Sequence, residues 1–139
     1  MTLVVDASVA SKWSIAEPDS PDAERLLQSG EPLIAPDLVV VEACNVAWKK
    51  LRTGQITRPQ AAGLAAGIAG FFDALLPTKS LAPRALAIAE GLAHPVYDCF
   101  YLALAEQANA RLVTTDARLL HRLRGTVWQA RAMSLSGVP

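Results

Sequence analysis

A three-layer α/β/α domain on a mainly parallel sheet is the fold class this sequence predicts. Two observations lead there. Short apolar runs, "LVV" at 3–5, "PLIAP" at 32–36 and "RLVTT" at 111–115, are each followed by a stretch with helical signals. Strands that alternate with helices along a chain form βαβ units, and hence parallel pairs. The length of 139 residues suits one domain, which at this size buries roughly 68–70% of its extended-chain surface and needs no disulfide or metal staple. No linker or repeat divides the chain, so residues 1–139 are expected to form a single domain.

The elements follow in order. The first strand covers about 2 to 6, and a helix is expected from Ala7 to about Ile15, ended by Glu17-Pro18-Asp19. Ser20-Pro21 supplies an N-cap and a proline at the first helical position, opening a helix that runs to Ser29-Gly30. "PLIAP" is a brief strand bounded by prolines. "DLVVVEACNVAWKKLRTG" reads as a long helix with Asp37 as N-cap, a basic last turn and Gly54 as stop. Thr57 and Gln60 have the spacing of a capping box. The helix they open is rich in Ala and Gly, and Gly63 and Gly67 share a face that permits close approach of another helix. "LLPTKS" is a short strand. "LAPRALAIAEGLA" is a helix ending at His94-Pro95, and "VYDCFYLALAEQANA" is the next. After "RLVTT" come a short helix, "DARLLHRL", and an edge strand, "TVWQA". The last six or so residues are expected to fray.

Composition narrows the class of protein. Hydrophobic residues make up 52% of the chain, and mean hydropathy is +0.26, a surplus that predicts exposed apolar surface for a partner or a second copy to cover. The 13 basic residues equal the 13 acidic ones, which gives no support to a generally basic nucleic-acid binder. Cys44 and Cys99 lie among apolar neighbours with no CxxC or Cys/His spacing, so they read as reduced thiols. No basic, apolar leader precedes Asp6. The uncharged stretch "PQAAGLAAGIAGFF" has 14 residues, short of the ~20 that a membrane span needs. The expectation is a soluble cytoplasmic protein.

Four acids stand in unexpected company. Asp6 and Asp116 each follow an apolar strand directly before a helix, and ligands of parallel sheets bind outside the carboxyl ends of the strands. Glu42 interrupts the apolar helix "LVVVEACNVAW", and its helical neighbours at −4, +3 and +4 are Leu38, Asn45 and Val46. Asp98 interrupts "PVYDCFYLALA". Taken singly, each has an ordinary explanation; Asp98, for one, suits the positive end of a helix. Together they predict one acidic pocket, leaving 13 basic and nine acidic residues elsewhere.

Four converging carboxylates repel one another, and some stay protonated unless a cation is present. Mg²⁺ fits such a site: it prefers oxygen ligands, keeps several waters and needs only one or two direct carboxylates. Zinc does not fit, because the site offers neither thiolate nor imidazole. A metal in such a pocket is suited to phosphodiester hydrolysis, alone or as two ions ~3.5–4 Å apart. No other apparatus is legible: no GxxxxGK or GxGxxG loop and no GxSxG elbow. His94 and His121 have no partners of a catalytic triad.

These residues resemble the PIN-domain ribonucleases and, within them, the VapC-type toxins of bacterial toxin–antitoxin pairs. "VVDASVASKW" is similar to the opening strand and first acid of that family. "PDLVVVEACNVAWK" is similar to the helix bearing the second. "VYDCFYLALAEQANARLVTTDARLL" carries the third and fourth in the family's order. The resemblance implies a PIN-like fold with Asp6, Glu42, Asp98 and Asp116 as catalytic, metal-binding acids, Asp6 and Asp98 foremost among the direct ligands. It implies Mg²⁺, or Mn²⁺, as cofactor. Ser8 and Thr114 match positions of small hydroxyl residues that support the acids. The family also implies a homodimer, a cognate antitoxin that occludes the site, and a structured RNA as substrate. Arg118 and Arg122, one turn apart just after Asp116, are candidates for phosphate contact. The basic residues Lys49, Lys50 and Arg52 read as a solvated helix end, and Trp13, Trp48 and Trp128 as core. Two other readings compete: a DNA nuclease or RNA-processing enzyme without an antitoxin, and a dimeric binding module that completes a repressor complex.

Overall fold

In the computed structural model, which describes residues 1–139, five strands form one sheet: β1 (Leu3–Val5), β2 (Leu33–Pro36), β3 (Ala74–Leu76), β4 (Arg111–Thr114) and β5 (Ala132–Ser134). Their order is β3-β2-β1-β4-β5, and every pairing is parallel. Seven α-helices flank them: α1 (Ala7–Ala10), α2 (Ser20–Gln28), α3 (Leu38–Arg52), α4 (Arg58–Gly67), α5 (Thr78–Leu92), α6 (Val96–Gln107) and α7 (Ala117–Leu123). All three residues of β1 are buried, so helices cover the sheet on both faces. This is the three-layer arrangement that the alternation predicts.

The middle strand and α6 carry the centre of the core. From Tyr101 to Ala105 every residue of α6 is buried, the signature of a helix enclosed on all sides. It packs on α5 and lies over β1, β2 and β4. On α3, only Val39, Ala43 and Ala47 are fully buried, at fourfold spacing, and α3 packs on both α1 and α4. No helix is long and apolar enough to cross a membrane.

One turn has a consequence for the site. Helix α5 ends in a Schellman motif: His94 N–H donates to Ala89 O at 3.2 Å and Ala93 N–H to Glu90 O at 3.4 Å. Ala93 adopts the left-handed conformation, φ 51° and ψ 49°, which costs an L-residue about 1–2 kcal/mol. Arg122 of α7 secures the turn. Its Nε donates to Leu92 O at 2.7 Å and its Nη2 to Ala93 O at 3.5 Å, a cation on the exposed carbonyls of a helix end.

Several local expectations change for identifiable reasons. The first helix is only one α-turn, continued by a 3-10 turn over Ser11–Trp13. There the Ser20 hydroxyl takes the Lys12 carbonyl and the Trp13 indole donates to Ala23 O, drawing the chain onto α2. The Ser20 hydroxyl accepts from Glu17 N–H instead of capping α2. Asp37 precedes α3 but caps another helix: its Oδ1 accepts from Thr78 N–H at the start of α5. The parallel register that pairs Pro36 with Leu76 puts these residues side by side. The Thr57–Gln60 capping box forms as expected. Nothing lies within 4 Å of a Cβ built on Gly63 or Gly67, so no helix approaches that face. The last strand forms at 132–134 and not at 126–130, because the Thr126 hydroxyl donates to Leu123 O and accepts from Trp128 N–H, bending "TVWQA" into a turn. The tail beyond β5 makes a 3-10 turn in which Leu135 is buried, so it is packed to that point rather than frayed. Trp48 is 54% exposed, with the Arg52 guanidinium 5.0 Å from its ring centroid; it is not core.

Leu102 lies at the centre of this packing, with none of its surface exposed. The substitution Leu102→Ala is expected to lower the unfolding free energy by about 2–5 kcal/mol in a urea titration. A loss of about 0.5 kcal/mol, typical of a surface position, would contradict the enclosure of α6.

Candidate active site

The register of the two central strands builds the site. Val5 of β1 pairs with Val113 of β4, so the next residues, Asp6 and Thr114, emerge side by side at the carboxyl edge. Asp6 is 6% exposed and Thr114 is fully buried. The Thr114 hydroxyl donates to Asp6 Oδ2. The Ser8 hydroxyl donates to Asp6 Oδ1 at 2.6 Å, and Val9 N–H donates to the same oxygen at 3.2 Å. Asp6 is thus the N-cap of α1 as well as a cleft residue. Two residues beyond Thr114, Asp116 caps α7 in the same way, its Oδ1 accepting from Arg118 and Leu119 N–H. Thr114 ties the two together, since its oxygen also accepts from Asp116 N–H at 3.0 Å.

Glu42 from α3 and Asp98 from α6 complete the group. All four predicted acids, with Ser8, Asn45 and Tyr101, line one cleft of about 240 Å³. A larger hollow of about 490 Å³, bordered by Leu3, Arg111 and Met133, contains none of them. Tyr101 is buried and its hydroxyl donates to Glu42 Oε1 at 2.5 Å. His94 Nε2 stands 2.7 Å from Asp98 Oδ2. Three acids therefore share one pattern. One oxygen is held by the protein, and the other, Glu42 Oε2, Asp98 Oδ1 or Asp116 Oδ2, has no protein donor. Asp6 has three donors on two oxygens, which leaves about one of its four acceptor positions open.

Burial sets the electrostatics. Loss of water pushes the Asp6 carboxyl up to about 6; its three donors oppose the shift, and the charge of Asp98 adds to it. Glu42 is also raised, first by burial and then by Asp98, against the hydrogen bond from Tyr101. Burial, reinforced by the charge of Glu42, lifts the Tyr101 phenol far above the ordinary tyrosine range, so it remains a donor. Cys99 is buried on α6, and its thiol is pushed up to about 11, which makes it unreactive. Both cysteines are free.

The two arginines proposed for phosphate contact part company. Arg118 is exposed at the start of α7, while the Arg122 guanidinium is engaged in closing α5. Lys50 pairs with Glu17 at 2.7 Å. Sequence reasoning missed Tyr101 and the contact of His94. A signal existed for each: Tyr101 is three residues and His94 four residues from Asp98, the spacings that share a helical face.

The donor set fits a hard divalent cation. It is all oxygen, the charge of Asp98 adds to the proton affinity of Asp6 and Glu42, and three of the carboxylates keep one oxygen without a protein donor. No three His, Cys, Asp or Glu side chains are gathered closely enough to form a ready-made cage.

The fold and cleft define an α/β domain whose acidic site lies where parallel sheets bind ligands. The chain belongs to the PIN-domain family, whose profile matches residues 3–125. It is 33% identical over 129 residues to Ribonuclease VapC3 of Pyrobaculum aerophilum, an overlap of 91% of this chain and 98% of that one. Its fold is similar to that of PAE2754 from Pyrobaculum aerophilum, with a TM-score of 0.72 and 24% identity over 98% of this chain and 85% of the other. It is also similar to a toxin–antitoxin complex from Klebsiella pneumoniae, with a TM-score of 0.64 and 15% identity over 96% and 97% of the two chains.

The raised Asp6 carboxyl has a defined sign in stability. The folded form holds its proton up to about pH 6 and the unfolded chain only to 3.8. This contribution is full below 3.8 and is lost as pH rises through 6, on the order of 3 kcal/mol. In EDTA, Asp6→Asn is expected to gain stability relative to wild type between pH 4.5 and 7.5, read by urea denaturation. An unchanged difference across that range would refute the burial of a charged Asp6. For Tyr101→Phe, loss of the donor is expected to raise the titration midpoint of Glu42, followed by carboxyl ¹³C NMR; an unmoved midpoint would show the hydrogen bond to be without effect.

Proposed function

We propose that this protein is a metal-dependent endoribonuclease that hydrolyses phosphodiester bonds in RNA, and that it acts as the toxin of a toxin–antitoxin pair. The observation that carries the reading is the convergence of Asp6, Glu42, Asp98 and Asp116 on one cleft with three oxygens left open. A PIN-domain profile across residues 3–125 and a relative named as a ribonuclease support it.

In this reading, Asp6 and Asp98 are the principal ligands of Mg²⁺ or Mn²⁺, with Glu42 and Asp116 binding directly or through water. The cation, when bound, supplies positive charge beside the scissile phosphate and acidifies a water for attack. The chain's own groups do the rest. Ser8 and Thr114 hold the buried Asp6 carboxylate in place. Where Glu42 meets the cation through water, its Oε2, which Tyr101 leaves open, accepts the proton of the attacking water. Arg118, exposed beside Asp116, contacts an RNA phosphate.

An antitoxin partner is supported by the toxin–antitoxin complexes among the structural neighbours. Exposed apolar surface on α3 and α4 suits a protein partner or a second copy: Val41 is 66% exposed, Trp48 is prominent, and the glycine face of α4 is open. In this reading the protein works in the cytoplasm, where its substrate is, and pairs with a second copy through exposed apolar surface of this kind.

The test is cleavage of purified total RNA by antitoxin-free protein in Mg²⁺, Mn²⁺ and EDTA, with Asp98→Asn alongside. Discrete fragments are expected with either metal and none with EDTA, and Asp98→Asn should lose about 10²-fold or more. In cells the variant should no longer arrest growth while still binding the antitoxin. Cleavage indifferent to both EDTA and Asp98→Asn, or growth arrest retained by the variant, would overturn the proposal.

A further inference from the structure

Asp98 occupies the third position of α6, from which the Glu or Gln of a capping box folds back to accept from the backbone N–H of the N-cap residue. Here the N-cap is Pro95, which has no N–H, and α6 has no side-chain cap. The carboxylate is thereby released from its usual local partner. Its partner instead is His94, one residue before the proline, with Nε2 at 2.7 Å from Oδ2. Both side chains are largely screened from water, 14% exposed for His94 and 25% for Asp98.

His94 is itself held on two sides. Its backbone N–H is locked to Ala89 O by the turn that ends α5. Arg122, from the helix that Asp116 caps, grips the carbonyls of Leu92 and Ala93 immediately before it. A left-handed Ala93 and a following proline leave the backbone at His94 little freedom.

We infer that His94 is a positioning residue for the metal site: its Nε2–H holds Asp98 Oδ2, so that Oδ1 alone is presented to the cation in the cleft. Arg122 and the 93–95 turn fix the ring that does this. The inference rests on the reading of Asp98 as a metal ligand proposed above. It depends on the hydrogen bond that Nε2–H donates to a carboxylate that can only accept, which the ring supplies when charged or as the neutral Nε2–H tautomer. Outer partners of this kind typically contribute 10–100-fold to metal affinity.

The experiment is Mn²⁺ binding to the full chain, by calorimetry and by the EPR signal of free Mn²⁺, with circular dichroism to verify folding. His94→Leu and His94→Phe remove the donor, and the second also fills the ring's volume should the first fail to fold. His94→Gln keeps an N–H at a similar reach. Asp98→Asn and the exposed His121→Leu serve as references. The expected result is Mn²⁺ affinity lowered 10–100-fold in the Leu and Phe variants, restored to within about threefold in His94→Gln, and unchanged in His121→Leu. Wild-type affinity in folded Leu or Phe variants, or a Gln variant as weak as the Leu variant, would overturn the inference. If Asp98→Asn binds weakly while His94→Leu binds normally, only the role of His94 fails. If Asp98→Asn binds as wild type does, the metal-site reading itself fails.

Discussion

The burial of one carboxylate, Asp6, at the junction of β1 and β4 is the constraint on which the site depends. A buried charge is tolerated only with partners, and its partners are drawn from three places: Thr114 across the sheet, Ser8 in the next turn, and the backbone of Val9. Thr114 is available because the parallel register sets Val5 against Val113, and Ser8 and Val9 because Asp6 is the N-cap of α1. A shift of one residue in that register would turn the Thr114 side chain to the opposite face of the sheet. The register of the sheet centre thus also sets the Asp6–Thr114 pair in the cleft.

The acids divide their work. Asp6 and Asp116 cap the helices that follow their strands, and Glu42 and Asp98 each bond to one side chain. Anchoring one oxygen of a carboxylate removes most of its rotational freedom and leaves the other aimed. The arrangement opposes its own stability, because burial and mutual repulsion favour protons on Asp6 and Glu42. A cation would relieve both effects, which links the electrostatics of the cleft to the proposed chemistry.

Much of the fold was legible because its signals are local. The alternation of apolar runs with capped helices marked every layer, and the Thr57–Gln60 box formed as spaced. Expectations failed where a polar side chain took a partner other than the one its position suggests, near in sequence or far. Asp37 looked like a cap for α3 but serves Thr78, and Ser20 turned back to Lys12 and Glu17. "TVWQA" has the composition of a strand, yet a threonine hydroxyl bent it into a turn, and the strand formed further on. Gly63 and Gly67 suggested a packed face, but a sequence does not record whether a neighbour is there.

By itself, the sequence determined the class of fold and singled out the four acids that line one cleft, because an acid at a strand exit or within an apolar helix is anomalous wherever the chain goes. Only the tertiary structure decided how those acids are held. Tyr101 and Glu42 are 59 residues apart, and Thr114 and Asp6 are 108 apart. Arg122, though exposed, bonds the end of α5, 30 residues before it. Contacts of that range follow from strand order and helix packing, which local propensity does not encode. The orientation of each carboxylate is therefore a property of the assembled sheet and its helices.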